Sequence, residues 1–134
     1  MILPAGTTIA VAGGETVRLF HNTGVKPGLH LVEITEALPA PARSGSGARH
    51  YTAVASPDGR RFVENDFAAA TAAFLNKLSL DGIIEHLVVI SDPKTLGELH
   101  KHFHRDLRSK LIGEIAKDFS RRPIEDISSL IVDA

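Results

Sequence analysis

A nearly unbroken apolar run, Ile83–Ile90, is followed after one serine by Asp92 and Pro93. A strand that is covered on both faces of a sheet has this composition, because neither face meets water. Asp92 is a good helix N-cap, and proline is favoured in the first turn of a helix. The pattern therefore predicts a central parallel strand that leads directly into a helix, as in α/β proteins.

Three short strands are predicted ahead of this run. The β-branched segment Thr7–Ala12 ends at Gly13-Gly14, a pair that suits a tight hairpin. Alternating residues from Val17 to Phe20 predict a second strand, and the segment Leu29–Ala37 predicts a third. Short turns between successive strands favour an antiparallel meander.

Helical spacing recurs three times in the rest of the chain. The first predicted helix starts near Asp66 and ends before Gly82, and its buried face comprises Phe67, Ala70, Thr71, Phe74 and Leu78. The second follows Pro93, with a buried face of Leu96, Leu99, Phe103 and Leu107. Lys110–Ile115 suits either the end of that helix or a fifth strand, and we favour the strand. The last helix begins at Pro123 and buries Ile124, Ile127, Leu130 and Ile131.

The predicted element order is thus β-β-β-α-β-α-β-α. Right-handed crossovers between parallel strands are expected to place helices on both faces of a mixed five-stranded sheet. An RNase H-like three-layer α/β/α fold has this order. The chain has 134 residues, of which 43% are hydrophobic and 23% charged, so we expect a single domain over residues 1–134.

Charge and cysteine content exclude several classes of function. Fifteen basic and sixteen acidic residues leave a net charge of −1, which argues against a broad positive field for duplex binding. The chain has no cysteine, which excludes disulfides, thiolate nucleophiles and cysteine-based metal sites. The first residues do not resemble a secretory signal, and no apolar run approaches the ~20 residues of a membrane span. We therefore expect a cytoplasmic protein without a membrane span.

Several segments together resemble a known family. They are Leu3-Pro4, Ile9–Gly14, Val17–Phe20, Leu87–Ile90, Pro93–Leu99 and Glu114–Phe119. The most specific stretch is Thr95–Leu99, directly after the central strand, with Lys117-Asp118 later in the chain. Over nearly its whole length the chain resembles the bacterial host-attachment protein family, which is similar in fold to the central domain of archaeal and eukaryotic peptide-release factors.

The resemblance implies a need for the protein in attachment to host cells, ancestry among ribosome-associated proteins, and no established biochemical activity. Release factors of this type carry a Gly-Gly-Gln loop, and the corresponding segment here is Arg43–Arg61. This segment contains Gly45–Arg49, and the whole chain lacks glutamine, so peptide release by that chemistry is not expected. The family commonly has an acidic residue where Gly13 stands. The first strand therefore offers no carboxylate for a two-metal nuclease site.

A basic loop is predicted at about residues 38–61, where prolines, glycines and serines are frequent. Its guanidinium groups belong to Arg43, Arg49, Arg60 and Arg61, and His50 and Tyr51 lie among them. Guanidinium groups bind phosphates, and they stack on unpaired bases as aromatic rings do. We predict that this loop contacts the ribosome or structured RNA. The alternative is an ordinary polar linker with no partner.

The start of the second predicted helix is another candidate. Asp92–Thr95 lies at the carboxyl end of the central strand, where open α/β sheets bind ligands and helix N–H groups attract anions. Lys94 could assist with a phosphate, although a helix cap and a surface lysine explain the same residues. The carboxylates of Asp92, Glu98 and Asp118 could form a group, or could simply be a cap and solvated charges.

Histidines supply a weak candidate for a metal site. His100 and His104 are four residues apart, which would put both on one face of the predicted helix, where they could share a zinc ion. His86 and His102 could lie nearby. Lys101 stands where metalloproteases have a glutamate after the first histidine. Histidines on a solvated helix face are the simpler interpretation, so we predict no metal and no cofactor.

Three functions follow, in order of preference. The first is a non-enzymatic adaptor that contacts the ribosome or RNA through the basic loop. The second is a protein-interaction factor needed for attachment to host cells. The third is a metal-dependent hydrolase that uses His100 and His104.

Overall fold

The computed structural model describes residues 1, 3–24, 29–34 and 59–134, with side chains described from Asp66 onwards in the last range. Its elements are β1 (Thr8–Ala12), β2 (Val17–Asn22), β3 (Leu31–Ile34), α1 (Gly59–Leu80), β4 (Leu87–Ser91), α2 (Pro93–His100), α3 (Arg105–Lys110), β5 (Leu111–Ala116) and α4 (Ile124–Asp133). Every helix in these ranges is too short or too polar to cross a bilayer.

The five strands form one mixed sheet in the order β3-β2-β1-β4-β5. β2 is antiparallel to both of its neighbours, whereas β1, β4 and β5 run parallel. In this register Ala12, Ser91 and Ala116 lie side by side across the three parallel strands. The predicted meander, the position of the apolar strand between two parallel neighbours and the mixed five-stranded α/β sheet are confirmed.

The two faces of the sheet are covered by different helices. Residues of α1, α2 and α3 pack on the face that carries Ala10, Leu19 and Val89. Ile127 and Ile131 of α4 pack on the opposite face. We expected the crossovers themselves to cover both faces, but both of them lie on one face. The chain moves across the sheet in the same direction from β3 to β4 through α1 and from β4 to β5 through α2 and α3, so two crossovers of one hand reach the same side.

The end of α1 corrects the predicted start of the central strand. Gly82 has φ of +79°, and the backbone N–H of Ile83 donates to the carbonyl of Leu78 at 2.9 Å, as in a Schellman cap. Ile83 therefore completes the helix end and is 61% exposed, and β4 begins only at Leu87. At its other end α1 begins at Gly59, seven residues before Asp66, so the helix includes part of the predicted loop.

The predicted second helix is two helices in the structure. α2 ends at His100 and α3 begins at Arg105, although Leu99, Phe103 and Leu107 are all buried as expected. The buried side chain of Asn76, on α1, holds the turn between them. Its Nδ2 donates to the carbonyl of His102, and its Oδ1 accepts from the N–H of His104, both at 2.9 Å. The Asn76 side chain thus takes the place of helical hydrogen-bond partners at the turn, where the helix is interrupted and His104 serves as the N-cap of α3.

The predicted fifth strand is confirmed as β5, with an irregularity that changes its faces. Leu111 pairs with Leu87, whereas Gly113 pairs with Val88, so Ile112 is an extra residue in a bulge. Beyond the bulge Glu114 pairs with Val89 and lies on the face covered by α2. There its carboxylate contacts the imidazole of His100.

A polar cluster joins α1 to α3. The buried Ser79 hydroxyl donates to Asp106 Oδ2 at 2.6 Å, and Lys110 Nζ donates to the carbonyl of Ser79 at 2.8 Å. Lys110 Nζ also lies 3.3 Å from the same carboxylate oxygen. The hydrogen bond from Ser79, followed by the bond and charge of Lys110, holds the pKa of Asp106 below its ordinary value of 3.8.

Asn76→Ala should destabilise the protein by about 2–3 kcal/mol, because it leaves two backbone groups of the turn without partners. The free energy of unfolding from urea titration followed by circular dichroism measures this. Lys77→Ala, at the exposed neighbouring position, is the control and should change stability by less than about 0.5 kcal/mol. Equal effects of the two substitutions would contradict the role of Asn76.

Asp106→Asn should destabilise the protein near neutral pH and have progressively less effect in acid. A depressed carboxyl pKa contributes stability that is complete well above 3.8 and is lost as pH falls through the folded-state pKa. Urea titrations across this range measure the difference. Asp81→Asn is the matched control, because Asp81 pairs with Lys77 on an exposed helix surface. A pH-independent effect of Asp106→Asn would show that the charge contributes nothing.

Candidate functional site

The carboxyl ends of the three parallel strands form one edge of the sheet, here called the carboxyl edge. Ala12, Ser91 and Ala116 end these strands in register, and neighbouring strands are about 4.8 Å apart. α2 begins directly at this edge after β4. The residues that immediately follow the strands are therefore neighbours, although they are far apart in the chain.

The start of α1 lies on the same side of the molecule. The short connection 81–86 leads from the end of α1 to the beginning of β4, so the helix runs back along the sheet. Its 22 residues span about 33 Å, roughly twice the length of a five-residue strand. The first turn of α1, whose backbone includes Arg60 and Arg61, therefore projects past the carboxyl edge.

Exposed cations surround the carboxyl edge. Lys94 lies in the first turn of α2, Lys117 directly follows β5, and Arg121 lies in the turn before α4. None of these three side chains has an ion-pair partner within the part of the chain that the structure describes. Arg122, beside them, pairs with Asp126 at 3.3 Å, and its carbonyl accepts a hydrogen bond from Arg18. The hydrogen bond from Arg18 fixes the turn that carries Arg121.

The carboxylates at this edge already bind their own backbone. Asp92 Oδ2 accepts from the N–H of Thr95 at 3.0 Å and caps α2. Asp118 Oδ1 accepts from both the N–H and the hydroxyl of Ser120, at 3.2 and 2.8 Å. Glu98 lies near the other end of α2 and pairs with Lys101, so the structure does not bring it to the edge. Asp92 also occupies an N–H group that an anion at the start of α2 would use.

Gly13 stands in close contact with the turn after β5. A Cβ at this position would lie 2.8 Å from Ser120 Oγ and 3.0 Å from Ser120 Cβ. Gly13 is buried, and its N–H donates to the carbonyl of Thr16 within the hairpin. The position where the host-attachment family commonly has an acidic residue therefore has no room for a side chain unless Ser120 moves.

The histidines are arranged differently from the prediction. His100 ends α2 and His104 precedes α3, so the two do not share one helix face. His100 contacts Glu114, whereas the imidazole of His104 has no hydrogen bond within the described ranges. His104 and His102 instead line a groove beside α1. No cluster of three metal-ligating side chains occurs among the described residues.

The predicted basic loop falls mostly outside the described residues. Arg43 and Arg49 lie there, as do His50 and Tyr51. Arg60 and Arg61 belong to α1, but their side chains are outside the description. Sequence reasoning missed Asn76, because its partners lie 26 and 28 residues away. By helical spacing Asn76 lies opposite the predicted buried face of Phe67 and Phe74, so the pattern did not single it out.

Comparison with known proteins identifies the family of this chain. No curated protein matches the chain. A family model does match, over residues 6–131, and its description is bacterial archaeo-eukaryotic release factor family 12. The match covers all the described strands, α1 to α3 and most of α4, and it supports the release-factor relationship that the resemblance implied. The chain therefore belongs to bacterial archaeo-eukaryotic release factor family 12.

Proposed function

We propose that this protein is a non-enzymatic adaptor that associates with the ribosome or with structured RNA. The observation that carries the proposal is membership of a release-factor family over residues 6–131. We also infer an RNase H-like fold, for which the sheet order β3-β2-β1-β4-β5 with an antiparallel β2 is the support.

The carboxyl edge is the surface that we assign to RNA. Lys94, Lys117 and Arg121 are exposed there without ion-pair partners in the described part of the chain. Arg60 and Arg61 start the helix that projects past the same edge, and Arg43 and Arg49 precede it in the chain. With a net charge of −1 the protein has no general attraction to nucleic acid, so such a local group of cations would determine the contact.

The geometry at Gly13 favours an adaptor over a metal-dependent hydrolase. A two-metal site needs several carboxylates that are free to bind cations. At the carboxyl edge Asp92 and Asp118 accept hydrogen bonds from their own backbone, and Ser120 occupies the space beside Gly13. His100 ends α2 and His104 precedes α3, so their spacing supports no shared zinc ion.

A role as a protein-interaction factor in attachment to host cells is the alternative, and it rests on the resemblance alone. Detection of the protein on the surface of intact cells, with a cytoplasmic marker as control, would support it. Exclusive recovery from the cytoplasm together with ribosomes would favour the adaptor.

Gly13→Ala should destabilise the protein by about 1–2 kcal/mol, because the new methyl group meets Ser120 at less than van der Waals distance. Ser120→Gly in the same chain should restore most of that loss by removing both contact atoms. The four proteins of this double-mutant cycle are compared by urea unfolding. Additive effects of the two substitutions would contradict the proposed contact.

Binding to purified ribosomes should depend on the cations of the carboxyl edge. Replacing Lys94, Lys117 and Arg121 together by alanine should weaken co-sedimentation and lower the slope of log affinity against log salt by up to about 3, near one unit for each lost phosphate contact. A second variant, with alanine at Arg43, Arg49, Arg60 and Arg61, tests the arginines of the basic loop in the same way.

The control for this experiment conserves charge, with Lys94→Arg, Lys117→Arg and Arg121→Lys in one chain, and it should bind as the unaltered protein does. If the unaltered protein fails to sediment with ribosomes even at low salt, the RNA-associated function is wrong. If it sediments and both alanine variants sediment equally well, the assigned surface is wrong.

A further inference from the structure

A groove of about 380 Å³ lies between α1 and the turn that joins α2 to α3. We call it the histidine groove, because His102 and His104 form one of its walls. Ala69 and Ala73, one helical turn apart on α1, line the other side together with Leu80. The groove follows the C-terminal half of α1 and is therefore separate from the carboxyl edge.

The groove has a fixed shape because a buried amide holds its wall. Asn76 donates to the carbonyl of His102 and accepts from the N–H of His104, so both histidines are attached to α1 through their own backbone. Phe103, between them, is buried in the core. The two imidazoles are exposed on this fixed turn, which makes the site largely preformed.

The lining combines apolar surface with aromatic rings. The alanine side chains are small enough for a flat ligand to approach the helix closely, and Leu80 is 66% exposed at the end of the groove. Imidazole rings stack on nucleobases and can also donate or accept a hydrogen bond. The His104 ring has no hydrogen-bond partner in the described ranges, so it is available to a ligand.

Charge argues against a simple anion as the ligand. Lys77 is held by Asp81 at 3.0 Å, and the His102 ring lies 3.9 Å from Glu98. These pairs leave little uncompensated positive charge in the groove when the imidazoles are neutral. A ligand recognised by stacking and apolar contact suits this lining better than one recognised by charge.

We propose that the histidine groove binds a nucleobase, which stacks against the imidazoles of His102 and His104 and lies over Ala69 and Ala73. The same chemistry is present in a free nucleotide and in an unpaired base of RNA. Only the RNA source rests on the proposed function, because binding of a free nucleotide does not require the ribosome.

Nuclear magnetic resonance of the full chain tests the inference. The imidazole proton resonances of His102 and His104 are followed during titration with adenosine 5′-monophosphate and, separately, with a short oligoadenylate. Saturable shifts at both histidines are expected with at least one of these probes, and the probe that causes them identifies the source of the base. Inorganic phosphate should cause no comparable shift, and identical shifts with phosphate would overturn base recognition.

Substitutions test whether binding depends on the residues of the histidine groove itself. His102→Ala with His104→Ala should weaken binding roughly tenfold or more, because stacking on each base is substantial. The matched control is His30→Ala with His86→Ala, which removes two histidines outside the groove. Ala73→Gln is a second test, because Ala73 is exposed and a longer side chain would fill the groove while leaving the imidazoles in place.

The outcomes distinguish this inference from the proposed function. Absence of shifts with both probes, or unchanged affinity in both the double histidine variant and Ala73→Gln, overturns the nucleobase site. Nucleotide binding by a protein that does not sediment with ribosomes leaves the site and removes the ribosomal function. Sedimentation with ribosomes by a protein that does not bind nucleobases removes the nucleobase site and leaves the ribosomal function.

Discussion

The parallel pairing of β1 with β4 is the contact around which the molecule is assembled, and every residue of both strands is buried. Burial on two faces requires helices on both sides, which α1 to α3 provide on one face and α4 on the other. Because β1 and β4 end in register, the same pairing sets the position of the hairpin at Gly13 and of the cap at Asp92. The geometry of the carboxyl edge thus depends on the centre of the sheet.

Local patterns predicted the parts of the fold that depend on near neighbours in sequence. The hairpin glycines and the Asp92 cap appear where their residue types favour them, and α4 buries Ile127 and Ile131 as expected. The buried face of α1 is rotated from the predicted one, because Ala70 is exposed whereas Ala72 and Leu75 are buried. The break between α2 and α3 was not predictable in this way, because Asn76 stabilises it from another helix. The bulge in β5 likewise arises from pairing with β4, so the alternation of residues within β5 alone does not predict it.

In the candidate surfaces, too, some features follow from local sequence and others depend on tertiary contacts. The position of Lys94 followed from a helix that begins directly after a central strand, so the sequence was sufficient to place it at the carboxyl edge. The neighbours of Lys94 from β5 and the contact between Gly13 and Ser120 depend on tertiary packing. The zinc hypothesis for His100 and His104 assumed an unbroken helix, and the same turn that separates them aligns His102 and His104 along α1.

The bulge at Ile112 affects how the sheet ends. In the described chain β5 pairs on one side only, with β4, and an unpaired strand edge can recruit a strand from another molecule. The extra residue interrupts the regular spacing of the outward-facing N–H and C=O groups, and the charged Lys110 and Lys117 flank the strand. An incoming strand would meet a broken ladder next to the exposed charge of Lys117. The unpaired edge of β5 is therefore a poor template for pairing with a strand of another molecule, which disfavours aggregation through this edge.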